Sequence, residues 1–458
     1  MADGTSFTSP VKITLDENDP ISVLERLKHH LLQPRGLIGM PTETVYGLAA
    51  NGFCEDSVRH IFTVKGRPLT DPVILHVPSF VDALESIFDT SLFDAFVVLL
   101  MASRFSPGPI TIITRGKSSI PAVVSANTMF PAVRCPSHPV AQMLLKHVGV
   151  PLAAPSANKF GHISPTRADH VMSEFVDTPL LVLDAGECHL GVESTVVKVE
   201  PSDEGVNANE FLHEHTATYG TLAAIVAAIE PGMLGNPSAL APVVDRLSAT
   251  GVAPADLARA FLGHINKFKD RPRRITILRR GFVTEGDLRL LFNQSDFPRT
   301  EVVCRDMFSS VKDVCEAPGS MLTHYAPSAP TYLLGESKKP CGIAVTPDRI
   351  VMIDAKGELK DSAECFLHYF PLDQDDEVVA HELYARLRDA EAVALRYNRA
   401  AQCSADAPDF LNKSAIIVVN HAKCESDLNA TVRDRLLRAC SGKTICYDSA
   451  SGNIAFLL

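Results

Sequence analysis

The sequence predicts an α/β protein made of two domains joined by a long linker. The chain has 458 residues, whereas a domain averages roughly 150 residues, so more than one domain is expected. Short apolar strands alternate with segments of helical periodicity, first up to residue 292 and again after residue 330. Hydrophobic residues form 46% of the chain and charged residues 21%, a composition typical of globular domains with sizeable cores.

The first domain is predicted over residues 12–292, where strands and helices alternate too irregularly for simple βαβ repetition. Residues 201–270 interrupt it with an Ala-rich helix and a stretch broken by proline and glycine, so we interpret them as an insertion. Predicted helices cover Ile21–Leu32, Ser57–Lys65, Leu92–Ser103 and His138–His147, and predicted strands cover Gly36–Met40, Val73–Val77, Ile110–Ile113, Ala132–Arg134, Leu181–Leu183, Thr195–Val199 and Ile275–Leu278.

A smaller α/β domain is predicted over residues 331–458, after a linker at 293–330 that has little periodicity. Its predicted strands are Gly342–Val345, Ile350–Ile353 and Ala415–Val419, and its predicted helices are Glu377–Arg399 and Asp427–Arg438.

The net charge of −11 argues against a protein that coats nucleic acid, because such binding neutralises phosphates with lysine and arginine. The eleven cysteines show no C-x-x-C spacing, which favours reduced thiols over a zinc site or a disulfide framework. The N-terminus lacks the apolar run of a signal peptide, and no segment approaches roughly 18 apolar residues. We therefore expect a cytoplasmic protein with no membrane partner.

Hydroxyl groups follow the first apolar strand in the motif Pro41-Thr-Glu-Thr-Val-Tyr-Gly47. Thr42, Thr44 and Tyr46 alternate around Glu43, and binding residues are common on loops that a rigid scaffold holds. A strand-to-loop turn with internally bonded hydroxyls explains the motif equally well, so both interpretations stay open on this motif alone.

Two cations flank a glycine in Lys65-Gly66-Arg67-Pro68, at the predicted end of a helix. Lysine offers a mobile charge, arginine offers a planar fork for phosphate oxygens, and glycine lets the backbone approach a ligand. A helix C-cap whose cations complement the helix dipole is the alternative, and it is about as common for this tetrapeptide.

Further polar residues stand at the ends of predicted elements. Arg134 and Arg279 each end a strand, where a buried cation without a partner anion would be costly. Ser156 and Asn158 follow another strand end. Ser164 begins a predicted helix whose free N–H groups could bind an anion, although a simple N-cap is the alternative.

Two other segments carry polar groups, and one apparent motif fails. Ser194 lies just before a strand, and the linker holds Tyr325 between prolines, where a tyrosine could contact an adenine or simply order the linker. Ser441-Gly-Lys-Thr444 imitates the end of a P-loop, but Leu437 occupies its first glycine position.

In their order along the chain, these motifs closely resemble the YrdC/Sua5 family of threonylcarbamoyl-AMP synthases. The linker ending in His324-Tyr-Ala-Pro327 and the domain after it resemble the two-domain Sua5 type. The resemblance implies a YrdC-like twisted mixed sheet with flanking helices, and a Rossmann-like C-terminal domain. It rests on Pro41–Leu48, Lys65–Pro68, His76, Pro107–Pro109, Ala132–Arg134, Ala154–Asn158, Ser164–Thr166, Gly191–Val196, Ile277–Arg279 and Gly281.

The resemblance implies a nucleotidyltransferase that converts L-threonine, bicarbonate and ATP to threonylcarbamoyl-AMP and pyrophosphate. Mg²⁺ is expected to arrive with ATP, and no metal ligand from the protein is expected. The product would serve a downstream transferase complex that installs t6A on tRNA. Phosphoryl chemistry of this kind requires positioning and charge neutralisation, which agrees with the lack of a nucleophile motif.

The resemblance also implies site residues, position by position. Lys65 and Arg67 are implied as catalytic residues. L-Threonine is implied at Thr44, His76, Arg134 and Ser194, and ATP is implied at Lys65, Arg67, Asp71, Ser156, Asn158, Ser164, Arg279 and Tyr325, with Tyr325 covering the nucleotide.

The sequence departs from the family pattern in four places. Asp71 stands where asparagine is usual, Phe130 where threonine is usual, Ser320-Met-Leu322 where Met-Lys-Tyr is usual, and Glu200–Asp270 where a short connection is usual.

These departures, together with the basic run Lys267–Arg280, leave an alternative: a relative that binds nucleotide or double-stranded RNA without catalysis. Carbamoyl transfer, which larger enzymes with a related domain perform, would need zinc-finger cysteines that this sequence lacks.

Overall fold

The computed structural model describes most of the chain, and its strands form two sheets. The described residues are 8–16, 18–201, 205–230, 232–234, 236–295, 297, 299–305, 315–319, 321–335, 344–355, 357–373, 375–401, 413–421, 426–448 and 455–457. Within them, no helix is long and apolar enough to cross a membrane.

The first sheet has eleven strands in the order β1-β8-β2-β3-β7-β4-β6-β5-β9-β10-β11, and it mixes parallel and antiparallel pairs. We call the part of the chain that builds it the N-terminal unit. The strands are β1 Val11–Thr14, β2 Ile38–Met40, β3 Gly47–Asn51, β4 Ile74–His76, β5 Ile110–Ile113, β6 Ala132–Arg134, β7 Leu152–Ala153, β8 Leu181–Asp184, β9 Thr195–Val199, β10 Arg273–Arg279 and β11 Thr300–Cys304.

Eleven helices belong to this unit within the described residues. Local signals explain their ends: α2 stops at Lys65 because Gly66 takes the left-handed conformation, and α11 starts with a capping box between Thr284 and Asp287. The helices are α1 Pro20–Leu32, α2 Glu55–Lys65, α3 Phe80–Ser86, α4 Leu92–Phe105, α5 Pro139–Val148, α6 Ala168–Glu174, α7 Ala208–Glu214, α8 Tyr219–Ala227, α9 Pro237–Ala249, α10 Ala255–Phe268 and α11 Glu285–Gln294.

The segment 201–270 contributes helices α7 to α10 and, in its described part, no strand of the sheet. It packs on α4, in which ten of fourteen residues are buried. A helix that is apolar on all sides must be covered on all sides, so the sequence of α4 requires the layer that this segment supplies.

The second sheet has seven strands in the order β13-β18-β17-β12-β16-β14-β15, and its five central and edge strands from β17 to β15 are parallel. We call the part of the chain that builds it the C-terminal unit. Its elements are β12 Thr331–Gly335, β13 Ala344–Val345, β14 Ile350–Asp354, β15 His368–Pro371, α12 Asp376–Ala400, β16 Ile416–Asn420, α13 Asp427–Ala439, β17 Thr444–Asp448 and β18 Ala455–Leu457. The predicted fold class, a mixed-sheet α/β unit followed by a smaller α/β unit, is confirmed.

Two local predictions need correction. β11 belongs to the first sheet, parallel to β10, although residues 293–330 were expected to form a linker. No helix begins at Ser164, because α6 starts only at Ala168. One reason is local, because Ser164 precedes a proline, which disfavours helical dihedrals. The other is tertiary, because the carbonyls of Pro165 and Thr166 accept hydrogen bonds from the backbone N–H groups of Tyr46 and Cys188.

The two units share one hydrophobic cluster. Val45, Ile163 and Val192 of the N-terminal unit pack with side chains of α12 and α13, including Tyr384 and Leu436. The units are therefore in contact beside the segments that carry the predicted site.

Candidate active site

One cavity lies where the ends of β4, β6 and β10 meet the segment 317–325. The space left inside it is about 40 Å³, enough for a few water molecules, and the buried side chains of His324 and Tyr325 form part of its wall. It is lined by Thr42, Val45, Gly47, Arg67, Ile74, His76, Arg134, Ala154, Pro155, Ser156, Glu193, Arg279, Pro318, Gly319, His324 and Tyr325.

Arg134 organises one end of the cavity. It pairs in register with His76 across the parallel strands β4 and β6, so both side chains lie on the same face of the sheet, at the carboxyl ends of the two strands. Its Nη2 lies 2.7 Å from Oε1 of Glu43, and its Nη1 donates to the hydroxyl of Thr44 at 2.7 Å. These groups are all buried. We call Arg134, Glu43, Thr44 and His76 the Arg134 end of the cavity.

Charge states at this end follow from burial and from the guanidinium. Burial would raise the pKa of Glu43, but the charge of Arg134 and the hydrogen bonds to the carboxylate together outweigh it, so the pKa is lowered and Glu43 is ionised. Burial and the nearby Arg134 lower the pKa of His76 to about 3, so the imidazole is neutral at physiological pH. This end therefore holds one compensated ion pair and a neutral histidine.

Lys65 and Arg67 stand on either side of Gly66, and each is committed to backbone oxygens. Nζ of Lys65 donates to the carbonyls of Ser156, at 2.5 Å, and of Asn158. Burial, followed by the charge of Arg67, lowers the pKa of Lys65 well below its usual value.

Arg67 is the member of this pair that lines the cavity. Its guanidinium donates to the carbonyls of Asp71 and Pro72, and Nη2 lies 2.9 Å from the Asp71 carboxylate. Burial raises the pKa of Asp71, although the positive charge of Arg67 opposes this. The acid that replaces the usual asparagine is thus an internal partner of a cavity arginine.

Arg279 reaches the cavity from the end of β10. Its Nε donates to the carbonyl of Ser194 at 3.0 Å and its Nη2 to the hydroxyl of Ser194 at 3.0 Å. The same hydroxyl lies 2.7 Å from that of Thr111. Nη1 donates to the carbonyl of Pro318 at 3.3 Å. Arg279 therefore also joins the sheet to residues 315–319 and 321–326, which we call the covering segment.

Ser164 and Asn158 lie behind the cavity wall. The hydroxyl of Ser164 donates to Oε1 of Glu193 at 2.7 Å. The amide of Asn158 donates to the carbonyls of Lys159 and His162. Both residues hold the loop that follows Ser156, which lines the cavity directly.

The segment 315–326 crosses the cavity and is bonded at both sides of it. The backbone N–H of Cys315 donates to the carbonyl of Thr70, and that of Ala326 donates to Gly161. Between these points His324 and Tyr325 are buried, with ring centroids 4.1 Å apart. The hydroxyl of Tyr325 lies against Gly319, where a side chain would collide with it.

The structure thus separates the predicted site residues into two layers. Arg67, His76, Arg134, Ser156, Arg279 and Tyr325 line the cavity. The other six lie one layer behind: Thr44, Lys65, Asp71, Ser164 and Ser194 hydrogen-bond or ion-pair with lining residues or their backbone. The carbonyl of Asn158 accepts a hydrogen bond from Lys65. All twelve belong to one connected region.

Sequence reasoning missed two acids and a partner from the C-terminal unit. Glu43 and Glu193 lie inside motifs that we quoted, and each carboxylate is buried against an arginine. A buried acid inside a hydroxyl-rich motif was a usable signal for both. Nothing in the local sequence pointed to Arg435, which contacts Glu193 from α13.

Phe130, Met321 and Leu322, which also depart from the family pattern, are not part of the cavity lining. Phe130 belongs to a small apolar cluster that includes Ile74, and Nζ of Lys198 lies 5.0 Å from its ring centroid. Ser320 lies outside the described residues. The carbonyl of Met321 accepts a bond from Arg438, and Leu322 is exposed.

Several buried polar atoms without a hydrogen-bond partner lie in the wall of this cavity or directly behind it. Within the described part of the chain, they include Nε of Arg134, Oδ1 of Asn158, Nδ1 of His324 and the hydroxyl of Tyr325. Buried polar atoms are nearly always satisfied in folded proteins, so a group of exceptions in one place indicates a polar ligand site.

Comparisons with known proteins show which family this chain resembles. A family model described as "Telomere recombination" matches residues 30–207, and one described as "Threonylcarbamoyl-AMP synthase, C-terminal domain" matches residues 289–441. The solved structure of Pyrococcus abyssi Sua5 complexed with L-threonine has a similar fold, with a TM-score of 0.62 at 22% identity. That likeness covers 96% of this chain and 99% of that one.

Curated relatives carry the assignment further. The threonylcarbamoyl-AMP synthase of Pyrococcus abyssi is 32% identical over 292 residues, covering 60% of this chain and 81% of that protein. Those of Bacillus subtilis and Schizosaccharomyces pombe are 38% and 34% identical over 168 and 206 residues, which are 36% and 41% of this chain. This chain spans about half the length of these two relatives, 47% and 50%. The chain belongs to the threonylcarbamoyl-AMP synthase family, in its two-domain Sua5 form.

Proposed function

We propose that this chain forms threonylcarbamoyl-AMP and pyrophosphate from L-threonine, bicarbonate and ATP in the cavity between Arg134 and Arg279. The observation that carries the proposal is the pairing of two chemically different ends in one buried space. One end has an ion pair and a neutral histidine, and the other has arginines suited to phosphate oxygens. The charges of these two ends suit a zwitterion beside a nucleotide.

The Arg134 end suits L-threonine. A guanidinium binds a carboxylate through two parallel hydrogen bonds, and Nε of Arg134 has no hydrogen-bond partner among the described atoms. Glu43 is ionised and can receive an ammonium group. His76 is neutral and therefore adds no second positive charge beside the amine, whose neutral form must react with bicarbonate.

The opposite end suits the nucleotide. Arg67 and Arg279 line the cavity, and Ser156 offers a hydroxyl between them and the Arg134 end. Lys65 donates to two backbone carbonyls, so we propose that it shapes the loop at 156–158. Tyr325 would cover the nucleotide, which requires the covering segment to move outward when ATP enters.

Mg²⁺ is part of this proposal as a companion of ATP. No group of three or more His, Cys, Asp or Glu side chains meets to hold a metal ion within the described ranges. The nearest acids, Asp71 and Glu193, are each engaged by an arginine. These residues fit an ion whose ligands are phosphate oxygens and water, where it would neutralise phosphate charge.

The reaction needs positioning more than covalent help. The amine of threonine combines with bicarbonate to give a carbamate and water. A carbamate oxygen then attacks the α-phosphorus of ATP, and the bond to the β-phosphate oxygen breaks to release pyrophosphate. Arg67 and Arg279 would stabilise the charge that builds on the phosphate oxygens, and burial excludes competing water.

The alternative of a non-catalytic RNA-binding relative has little support in the geometry. Arg273 pairs with Asp94, and Arg274 lies 3.1 Å from Glu301, so these two cations of the basic run are neutralised.

In our proposal the product goes to a transferase complex that modifies tRNA, in the cytoplasm.

Purified protein incubated with ATP, Mg²⁺, bicarbonate and labelled threonine tests the proposal. Threonylcarbamoyl-AMP and pyrophosphate should form in equal amounts, and omission of bicarbonate should abolish both. Folded protein that binds ATP yet forms neither product would overturn the proposed activity. RNA affinity that falls steeply with salt, without product, would favour the alternative.

A further inference from the structure

We infer that Tyr384 and Arg435 of the C-terminal unit are positioning residues for the nucleotide end of the cavity, acting through Glu193. The inference rests on the proposed function and assigns a positioning role to a unit that contributes no side chain to the cavity wall within the described residues.

Glu193 is the link between the two units. It lines the cavity and is buried. Oε1 accepts the hydrogen bond from Ser164, whereas Oε2 accepts from the hydroxyl of Tyr384 at 2.8 Å and from Nε of Arg435 at 2.9 Å. The carboxylate of the N-terminal unit is therefore oriented by one group of its own unit and two groups of the other.

The backbone next to Glu193 lies against α12, the helix that carries Tyr384. Gly191 has a φ of +69°, and a side chain there would overlap the carbonyl oxygens of Ala380 and His381 on α12. Only glycine allows this approach, so the loop that carries Glu193 and Ser194 lies directly on α12.

Arg435 also holds the strand end that carries Arg279. Its Nη2 donates to the carbonyl of Arg280 at 2.7 Å, and Thr431, one turn earlier on α13, donates to the carbonyl of Gly281 at 3.1 Å. Arg279 in turn bonds to Ser194. One helix thus sets two neighbouring segments of the nucleotide end.

Charge explains why a cation is needed at this position. A carboxylate on the cavity wall would repel the phosphates of ATP unless its charge were balanced. Arg435 is fully buried and contacts Glu193 directly, so it supplies that balance without entering the cavity. It also lies 5.3 Å from the ring centroid of Tyr325, on the covering segment.

The test uses the full-length chain with Tyr384→Phe, Arg435→Met and the double variant Glu193→Gln with Arg435→Met. Tyr397→Phe on α12 and the exposed Arg433→Met on α13 are matched controls. For each protein, KM for ATP, KM for threonine, kcat and the melting temperature are measured.

Tyr384→Phe should raise KM for ATP roughly tenfold, the effect of losing one hydrogen bond to a charged group, and should leave KM for threonine almost unchanged. Arg435→Met should raise KM for ATP by more than this, because Glu193 loses its direct ion-pair partner and its negative charge is less balanced. Glu193→Gln should restore most of that loss in the double variant, since the amide carries no charge. Both controls should match the unmodified protein.

A KM for ATP in Tyr384→Phe equal to that of the unmodified protein would overturn the inference. So would a loss that only follows the melting temperature, with unchanged KM values in the folded fraction. If Arg435→Met does not fold, the KM for ATP of Tyr384→Phe and of the double variant still tests the inference. If the unmodified protein makes no threonylcarbamoyl-AMP, the proposed function fails, which is a result separate from any difference among variants.

Discussion

The two ends of the cavity are built differently. The Arg134 end takes its side chains from β4, β6 and the loop after β2, all within the N-terminal unit. The nucleotide end combines Arg67 after α2, Arg279 of β10, the covering segment and, behind Glu193, helices α12 and α13. One end is preformed by a single sheet, whereas the other is complete only when distant parts of the chain assemble.

This difference suggests how the enzyme could bind its substrates. A preformed pocket for the small zwitterion loses little entropy on binding, because its groups are already ordered. The nucleotide end must open for a large ligand, since the cavity has room for only a few water molecules and the buried Tyr325 is part of its wall. Movement is easier where contacts come from separate segments than where they come from paired strands.

The largest effect is expected for Arg134→Met, which tests whether the Arg134 end is self-contained. Removing the cation leaves Glu43 buried and uncompensated, at a cost of about 3–5 kcal/mol in the free energy of unfolding. The double variant with Glu43→Gln should recover stability but not threonine binding. Denaturant unfolding and calorimetric titration with threonine measure both. Recovery of threonine binding in the double variant would contradict the assigned role of Arg134.

Arg67→Ala tests the nucleotide end. We expect kcat/KM for ATP to fall by about 10² to 10³, the usual effect of losing one group that stabilises transition-state charge. Combining it with Asp71→Asn removes the buried acid that would otherwise lose its partner, so a folded protein should remain inactive. Arg59→Ala, on the exposed side of α2, is the control. Normal kcat/KM in Arg67→Ala would exclude this arginine from the reaction.

The neutral state of His76 gives a pH prediction for the Arg134 end. Its pKa is about 3 in the folded protein, below the ordinary value of 6.5, so below pH 6.5 the unfolded chain binds a proton that the folded chain does not. The stability that this contributes is complete above pH 6.5 and is lost as the pH falls towards 3. Between pH 7 and 5 the loss is about 2 kcal/mol.

His76→Gln should remove this part of the pH dependence of the free energy of unfolding, measured with urea at both pH values. The exposed His189→Gln is the control, and it should behave like the unmodified chain. Identical pH slopes in His76→Gln and the unmodified chain would mean that the pKa of His76 is the same in the folded and the unfolded chain.

Asp71→Asn is expected to have the smallest effect. Asp71 competes with phosphate for Arg67, so a neutral amide should lower KM for ATP roughly threefold and leave KM for threonine unchanged. The exposed Asp56→Asn on α2 is the control. A higher KM for ATP in Asp71→Asn would show that the acid assists nucleotide binding.

Much of the site was predictable because its lysine and arginine residues lie at the ends of helices and strands, and those ends follow from the local sequence. Gly66 ends α2 after Lys65, and Arg134 and Arg279 end strands, as the sequence indicated. Ser164 was placed wrongly at a helix start, because its preference for a cap lost to the following proline and to partners from other loops.

By itself, the sequence determined the alternation of strands and helices, the ends of those elements and the order of the motifs, since periodicity and capping act over a few residues. Only the tertiary structure decided which charges meet. Glu193 and Arg435 are 242 positions apart, and neither motif nor periodicity joins them. They form an ion pair in the folded protein because both are buried, and a carboxylate or guanidinium removed from water is stable only beside an opposite charge.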